Sequence, residues 1–364
     1  MPAGAIVRLG NGARQQPRPA VANLLATVTS SGLAISLGIS PRQSLQEWAA
    51  QAAELEANGV ERIWLIDSQL AMKDVYAGLL LAAETTNRTQ LGPGVTNPAT
   101  RHPTVTASAI AAVAELSAGR ALLGLGAGDS AVYGLGWKPA RVAVVEAALR
   151  FFKAVFSGQE GEWEGRAYSL PAAVPAVPIW LAASQRRMCT LGGRLADGVI
   201  LMGPAEEGFV RRQVGWVEEG LREAERAREE VEICLVTTTS AHHDPERALA
   251  DVRSWASTEA RLLAAHAELP PALERFRDEI ERARMEYDYS QHLSTSAGHQ
   301  AAVSDDLAST LAVAGTADEC GRRIAGLLET GIDGCIFPLM GGGRLERLHV
   351  LRDQVLPVAL DRAR

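Results

Sequence analysis

Two acidic residues stand where apolar runs give way to small and polar residues: Asp67, after the run ERIWLI, and Asp129, after the alternating glycines Gly124, Gly126 and Gly128. A carboxyl set in apolar surroundings has its pKa raised by desolvation and can hold a proton for general acid chemistry near neutral pH. The same acid at the end of a strand can also cap the segment that follows. The three glycines strip side chains from one face of a strand end, so a flat group can lie against bare backbone at Gly126 and Gly128. A second unusual cluster, Gly92-Pro93-Gly94, interrupts a strand-like run and leads into Val95, Thr96 and Asn97. A third, Ala183-Ser184-Gln185-Arg186, follows the run IWLAAS and opens a helical pattern. Free N–H groups and the positive end of the dipole attract phosphate at such a point, and arginine adds charge; a capped helix with solvated arginines is the alternative.

Further candidates are Met202 and Gly203 at the end of another apolar run, and Ser68 beside Asp67. Tyr287, His292 and His299 lie in a long polar stretch, where they contact a substrate or simply pack. His242-His243-Asp244 precedes Pro245 in a polar turn, and adjacent histidines seldom point at one ion, so no metal site is expected there. The glycine alternation lacks the GxGxxG spacing and the distant acid of a dinucleotide fingerprint. No GxSxG, HExxH, Walker or Cys/His nucleophile signature occurs.

Eight short apolar runs position these residues. They begin near Leu33, Glu61, Thr89, Arg120, Ile179, Asp197, Val231 and Asp333, and the first four recur about every 28 to 31 residues with helical patterns between them. That cadence predicts an α/β fold, a (β/α)8 TIM barrel, with its site at the C-terminal strand ends. Long intervals after strands 4 and 7 mark insertions. The first carries a helix over 140–156 and a hairpin-like GEWEGRAYSL; the second, 240–315, can serve as a lid over the catalytic face. Residues 1–30 read as a loosely ordered extension, and 31–364 as a single barrel domain.

The chain of 364 residues is 47% hydrophobic with 5% aromatic residues, which suits a packed α/β enzyme. A formal charge of −7 argues against a nucleic-acid partner, which requires a concentrated basic face. The four cysteines Cys189, Cys234, Cys320 and Cys335 are scattered without metal spacing, as expected of free thiols in a reducing compartment. With no secretory leader pattern and no run of eighteen apolar residues, a cytoplasmic protein without membrane contact is expected.

The segment LGPGVTNPATRHPTVTASAIAAVAELSAGRALLGLGAGDS resembles the luciferase-like oxidoreductases, most closely the branch typified by methylenetetrahydromethanopterin reductase. The likeness continues through DVYAGLLLAAETT upstream and PIWLAAS, GGRLADGVILMGPA and VAGTADEC downstream, roughly over 33–340. It implies a barrel that binds the deazaflavin coenzyme F420, or alternatively reduced FMN, in a cleft at the strand ends. It implies a non-prolyl cis peptide at Gly94-Val95, Thr96 and Asn97 at the ring edge, and Ala183 to Arg186 around the phosphate. Asp129 falls where deazaflavin dehydrogenases of the family carry an acid. Two departures stand out. Where sugar-phosphate dehydrogenases have Asp-His, this chain has Asp67-Ser68, and where many relatives have Gly-Pro-Lys it has Gln185-Arg186-Arg187. The expected activity is hydride transfer between F420 and a small organic molecule. The alternatives are an FMN-dependent monooxygenase fed by a separate flavin reductase, and a non-catalytic flavin-binding protein; the family also makes a homodimer plausible.

Overall fold

Each of the eight apolar runs becomes a strand: β1 Leu33–Leu37, β2 Val60–Leu65, β3 Gln90–Pro93, β4 Leu123–Leu125, β5 Ile179–Ala183, β6 Gly198–Met202, β7 Glu232–Val236 and β8 Gly334–Pro338. The computed structural model describes residues 33–288, 298–339 and 343–362. The expected N-terminal extension, His292 and Met340 to Gly342 lie outside them. All eight strands run parallel in the order β3-β2-β1-β8-β7-β6-β5-β4. Two bridges, Leu91 to Ala121 and Thr96 to Leu125, join the outer pair and close the ring into a (β/α)8 barrel.

Helices α1 Leu45–Ala57, α2 Val75–Thr85, α3 Pro103–Leu116, α4 Val142–Phe156, α5 Arg186–Leu195 and α6 Glu207–Glu223 follow the first six strands. Their ends obey local chemistry. Ser44 and Glu47 form a reciprocal capping box on α1, and Pro103 occupies the first turn of α3, where its missing N–H costs nothing. Between α4 and β5 the sequence GEWEGRAY folds back as a two-stranded hairpin through Glu164-Gly165, both at positive φ. After β7 the chain leaves the barrel: a short strand Thr239–Ala241 pairs with Val313–Gly315 and brackets α7 Pro245–Leu263, α8 Arg277–Glu286 and α9 Asp305–Leu311. This insertion has its own apolar cluster, in which Ala256, Leu263, Leu273, Ile280 and Leu307 pack with Phe209 of α6. Helix α10 Ala317–Leu328 then returns the chain to β8.

The barrel interior is filled, so its upper end is a well with a floor. Trp64 of β2 and Trp180 of β5 meet edge to face at 5.5 Å. Glycines make room for them: a Cβ at Gly198 would sit 2.3 Å from the Trp180 ring, and one at Gly92 would sit 2.9 Å from Trp64. Beneath, Arg62 lies 4.5 Å over the Trp180 ring, donates to both carboxylate oxygens of Glu232 at 2.9 and 3.1 Å, and donates to Gln90 at 3.0 Å. A charge placed this deep is tolerated because its donors are met.

Glu56, at the end of α1, holds the turn that feeds β3. Its buried carboxylate accepts the N–H groups of Asn87, Arg88 and Thr89 and the Thr89 hydroxyl. Burial opposes its ionisation, but these donors outweigh burial and bring the pKa down to about 2. A depressed carboxylate stabilises the fold above its unfolded pKa and loses that contribution as pH falls toward the folded value. Glu56→Gln should therefore cost about 2–3 kcal/mol at pH 7 by urea unfolding, with the gap to the parent protein narrowing steadily from pH 5 to pH 2. A cost independent of pH would show that the clamp does not depend on the charge.

Candidate active site

The well at the C-terminal strand ends holds a cavity of about 470 Å³, and one wall is the continuation of β3. Between the two closing bridges β3 takes five steps, Leu91 to Thr96, against four in β4, Ala121 to Leu125. The surplus residue forms a bulge in which the Gly94-Val95 peptide is cis, as the family resemblance implied. The bulge also explains the glycine alternation. A Cβ on Gly124 would stand 2.2 Å from the Pro93 carbonyl oxygen, one on Gly126 would stand 2.8 Å from Val95 Cγ2, and one on Gly128 would stand 2.8 Å from Val132. The bare backbone expected to receive a flat ligand is thus first occupied by the protein itself. Gly126 and Gly128 border the cavity, while Gly124 serves the packing of the bulge.

Many residues singled out in the sequence converge here: Asp67, Gly94, Val95, Asn97, Gly126, Gly128, Asp129, Ala183, Ser184, Gln185 and Met202 all line the cavity. Asn97 is 2% exposed. Its Oδ1 accepts the N–H groups of Ala99 and Thr100, and its Nδ2 has no hydrogen-bond partner. The ends of β5 and β6 are strapped together by fully buried Gln213 of α6, whose Nε2 donates to the carbonyls of Ser184 and Met202 at 2.9 and 3.0 Å. Asp67 is shielded by the barrel; burial raises its pKa, against the pull of the Thr96 hydroxyl at 2.7 Å and of Arg101.

Other expected positions differ. Thr96 does not line the cavity: it is fully buried, and its hydroxyl is committed to Asp67. Ser68 is buried, with its Oγ 3.1 Å from Ser130 Oγ, a contact that ties the β2 and β4 loops together. Gly203 packs against Phe209. Arg186, expected at the phosphate, turns outward and pairs with Glu219 of α6 at 2.7 Å, because α6 presents a carboxylate beside the first turn of α5. Tyr287 stands behind the wall: its hydroxyl meets Thr258 Oγ1 at 3.0 Å and its ring lies 4.8 Å from the Arg261 guanidinium. The backbone of His299 is in the short turn Gly298–Ala302, and its side chain is outside the described residues.

The sequence reading missed the opposite wall. Trp255, Thr258, Arg261 and Leu262 of α7 lie across the mouth, so the insertion completes the site. Arg261, 7% exposed, donates to Asp129 Oδ2 at 2.7 Å. Asp129 is therefore not the isolated, desolvated acid that its flanking sequence suggested: its side chain is 38% exposed and ion-paired. The buried acid of the neighbourhood is Glu259. Fully buried and without a hydrogen-bond partner for either oxygen, it has its pKa pushed up to about 8 by burial, with the charge of Arg261 pulling the other way and Asp129 adding to the rise. One signal was available in PERALADVRSWASTEARLL: Glu259 is one turn from both Trp255 and Leu263, on an apolar stripe.

Among the described residues no cluster has the makings of a metal site, and all four cysteines are free and buried. The floor and walls are mostly apolar, with Ile200, Val236, Trp255 and Ile336 joining the cluster around the two barrel tryptophans. Such a well, with a few placed polar groups, suits a planar organic molecule whose reaction must be kept from water.

Comparison with known proteins agrees with this geometry. The luciferase-like monooxygenase family model matches residues 24–334. The 5,10-methylenetetrahydromethanopterin reductase of Methanolobus tindarius is 29% identical over 307 residues, 80% of this chain and 90% of its own length. The F420-dependent glucose-6-phosphate dehydrogenase of Amycolatopsis mediterranei is 27% identical over 340 residues, 86% and 94% of the two chains. The solved coenzyme F420 dependent tetrahydromethanopterin reductase of Methanopyrus kandleri superposes with a TM-score of 0.72 at 23% identity, over 90% of this chain and 99% of that one. A family match across most of the chain, on a barrel with the cis bulge and cavity just described, makes this protein a member of the luciferase-like monooxygenase family.

Proposed function

We propose that the protein is an F420-dependent oxidoreductase that moves a hydride between the deazaflavin and a small organic substrate. When bound, the deazaflavin supplies or accepts that hydride. The observation that carries the reading is the unpartnered, buried Asn97 Nδ2 beside the Gly94-Val95 bulge, at the edge of an otherwise apolar well. A buried amide donor left unmet is costly, and a ring carbonyl lying against Val95 would meet it. The three relatives compared above are named as F420-dependent enzymes or as a reductase, and this favours the deazaflavin over FMN.

The chain's own residues then divide the work. Val95, Gly126 and Gly128 hold the ring face, and Ala183, Ser184 and Gln185 stand at the start of α5, whose N-cap side chain leaves the first N–H groups uncapped, for the phosphate. Helix α7 covers the well and excludes water through Trp255 and Leu262. Ser68 cannot act as the base that histidine provides after the second strand in sugar-phosphate dehydrogenases, so reduction of an unsaturated substrate fits better than oxidation of an alcohol. Asp129 and Asp67 border the space left for substrate. Glu259, protonated at neutral pH behind the same wall, keeps a third negative charge out of it.

Asn97→Asp preserves the Oδ1 acceptor and removes the donor. Fluorescence titration should show F420 binding weakened about 10- to 100-fold, with little change in melting temperature. Unchanged affinity would remove Asn97 from the cofactor site. In the parent protein F420 should bind at least about ten-fold more tightly than FMN. The reverse order would favour the flavin monooxygenase reading.

Glu259 gives a pH signature. Its folded pKa lies above its unfolded value, so its proton stabilises the fold at low pH, and this contribution is lost as pH rises from about 4.5 through about 8. The loss proceeds at on the order of 1.4 kcal/mol per pH unit. Glu259→Gln should flatten that decline in unfolding free energy between about pH 4.5 and pH 8. An identical pH slope in the variant would contradict the assignment.

A further inference from the structure

The cavity wall carries three charged side chains among the described residues: Asp67, Asp129 and Arg261. The one cation of the wall is already engaged. Arg261 is 7% exposed, bonded to Asp129 at 2.7 Å, with the Tyr287 ring 4.8 Å from its guanidinium. Opposing it are two carboxyls, so the wall is neutral when Asp67 is protonated and carries a single negative charge when it is not. Around the pair the surface is apolar, formed by Ile66, Tyr133, Pro139, Trp255 and Leu262. Leu135 and Trp137, at 41% and 51% exposure, follow Tyr133 in the same loop.

We propose that the substrate of this site is neutral or cationic at its reacting end, largely apolar, and free of phosphate or carboxylate there, and that the Asp129–Arg261 ion pair enforces this choice. The proposal rests on the hydride-transfer reading only in calling the second occupant a substrate. An anionic group entering the well would face Asp129 and, when it is ionised, the buried Asp67. To gain a cation it would have to take Arg261 from Asp129, leaving that carboxylate unpaired. A neutral or cationic group meets neither obstacle. This is specificity by exclusion as much as by attraction, since the ion pair engages the one cationic side chain that the described residues bring to the wall. Phosphorylated sugars fall outside the class.

The test uses three probes of one shape that differ in charge: benzylammonium, benzyl alcohol and benzyl phosphate, titrated calorimetrically into the protein with and without F420. The alcohol and the ammonium should each bind roughly ten-fold or more tightly than the phosphate. Asp129→Asn removes the carboxylate that Arg261 is bonded to, and should tighten benzyl phosphate about ten-fold while weakening benzylammonium. Arg261→Gln should bring no gain for the phosphate. Asp129→Ser serves as a second release variant, and melting curves confirm that each variant folds. Benzyl phosphate binding as tightly as the alcohol in the parent protein overturns the proposal, as does failure of both release variants to gain phosphate affinity, or failure of alcohol and ammonium to bind at all. F420 binding, read separately by fluorescence on the same samples, keeps the two readings apart. Lost F420 affinity with the probe order intact contradicts the cofactor assignment alone, whereas intact F420 affinity with phosphate preferred contradicts this inference alone.

Discussion

The packing of the β3 bulge into the glycines of β4 is the contact on which the rest of the molecule depends. One extra residue between Leu91 and Thr96 turns the Gly94-Val95 peptide toward the mouth of the barrel, and Val95 lies against Gly124 and Gly126. Since a methyl group at Gly124 would fall 2.2 Å from the Pro93 oxygen, a side chain there is incompatible with closure of the ring as seen here. Closure of the ring and a shaped surface at its open end therefore come from one feature. The strand that completes the sheet is also the strand that presents backbone to the cavity.

A second constraint acts from above. Helix α7 is buried almost all round in its latter half, between the barrel mouth and the remainder of the insertion. There it brings Trp255, Thr258, Arg261 and Leu262 into the wall and leaves Glu259 without water. The ion pair to Asp129 ties this helix to the loop after β4 and so joins the insertion to the rim of the barrel. Burial pushes two carboxyls the same way, and their donors decide the outcome. Glu56 is met by backbone donors and stays ionised, whereas Glu259 has no such donors and keeps its proton.

Much of this was legible in the chain. The eight apolar runs mark the eight strands because each is short, rich in branched residues and punctuated by glycine or proline, and Gly92-Pro93-Gly94 marks the bulge because no regular strand accommodates it. Asp129 and the residues after β5 were found because strand ends in such barrels face one side. The misplacements share a cause. Arg186 reads as a phosphate ligand until α6 is seen to offer Glu219, and Thr96 reads as a wall residue until Asp67 takes its hydroxyl; Arg261 and Glu259 go unnoticed until their helix is laid across the mouth. Each depends on a partner distant in sequence, which periodicity and spacing do not encode.

The central claim is that a planar redox ring rests on the bulge at the open end of this barrel. A crystal structure of the protein with oxidised F420 tests it most directly. The account predicts density for the tricyclic ring against Val95, with a ring carbonyl oxygen within hydrogen-bonding distance of Asn97 Nδ2. A ring bound elsewhere, or a well that stays free of F420 at saturating concentration, would contradict it.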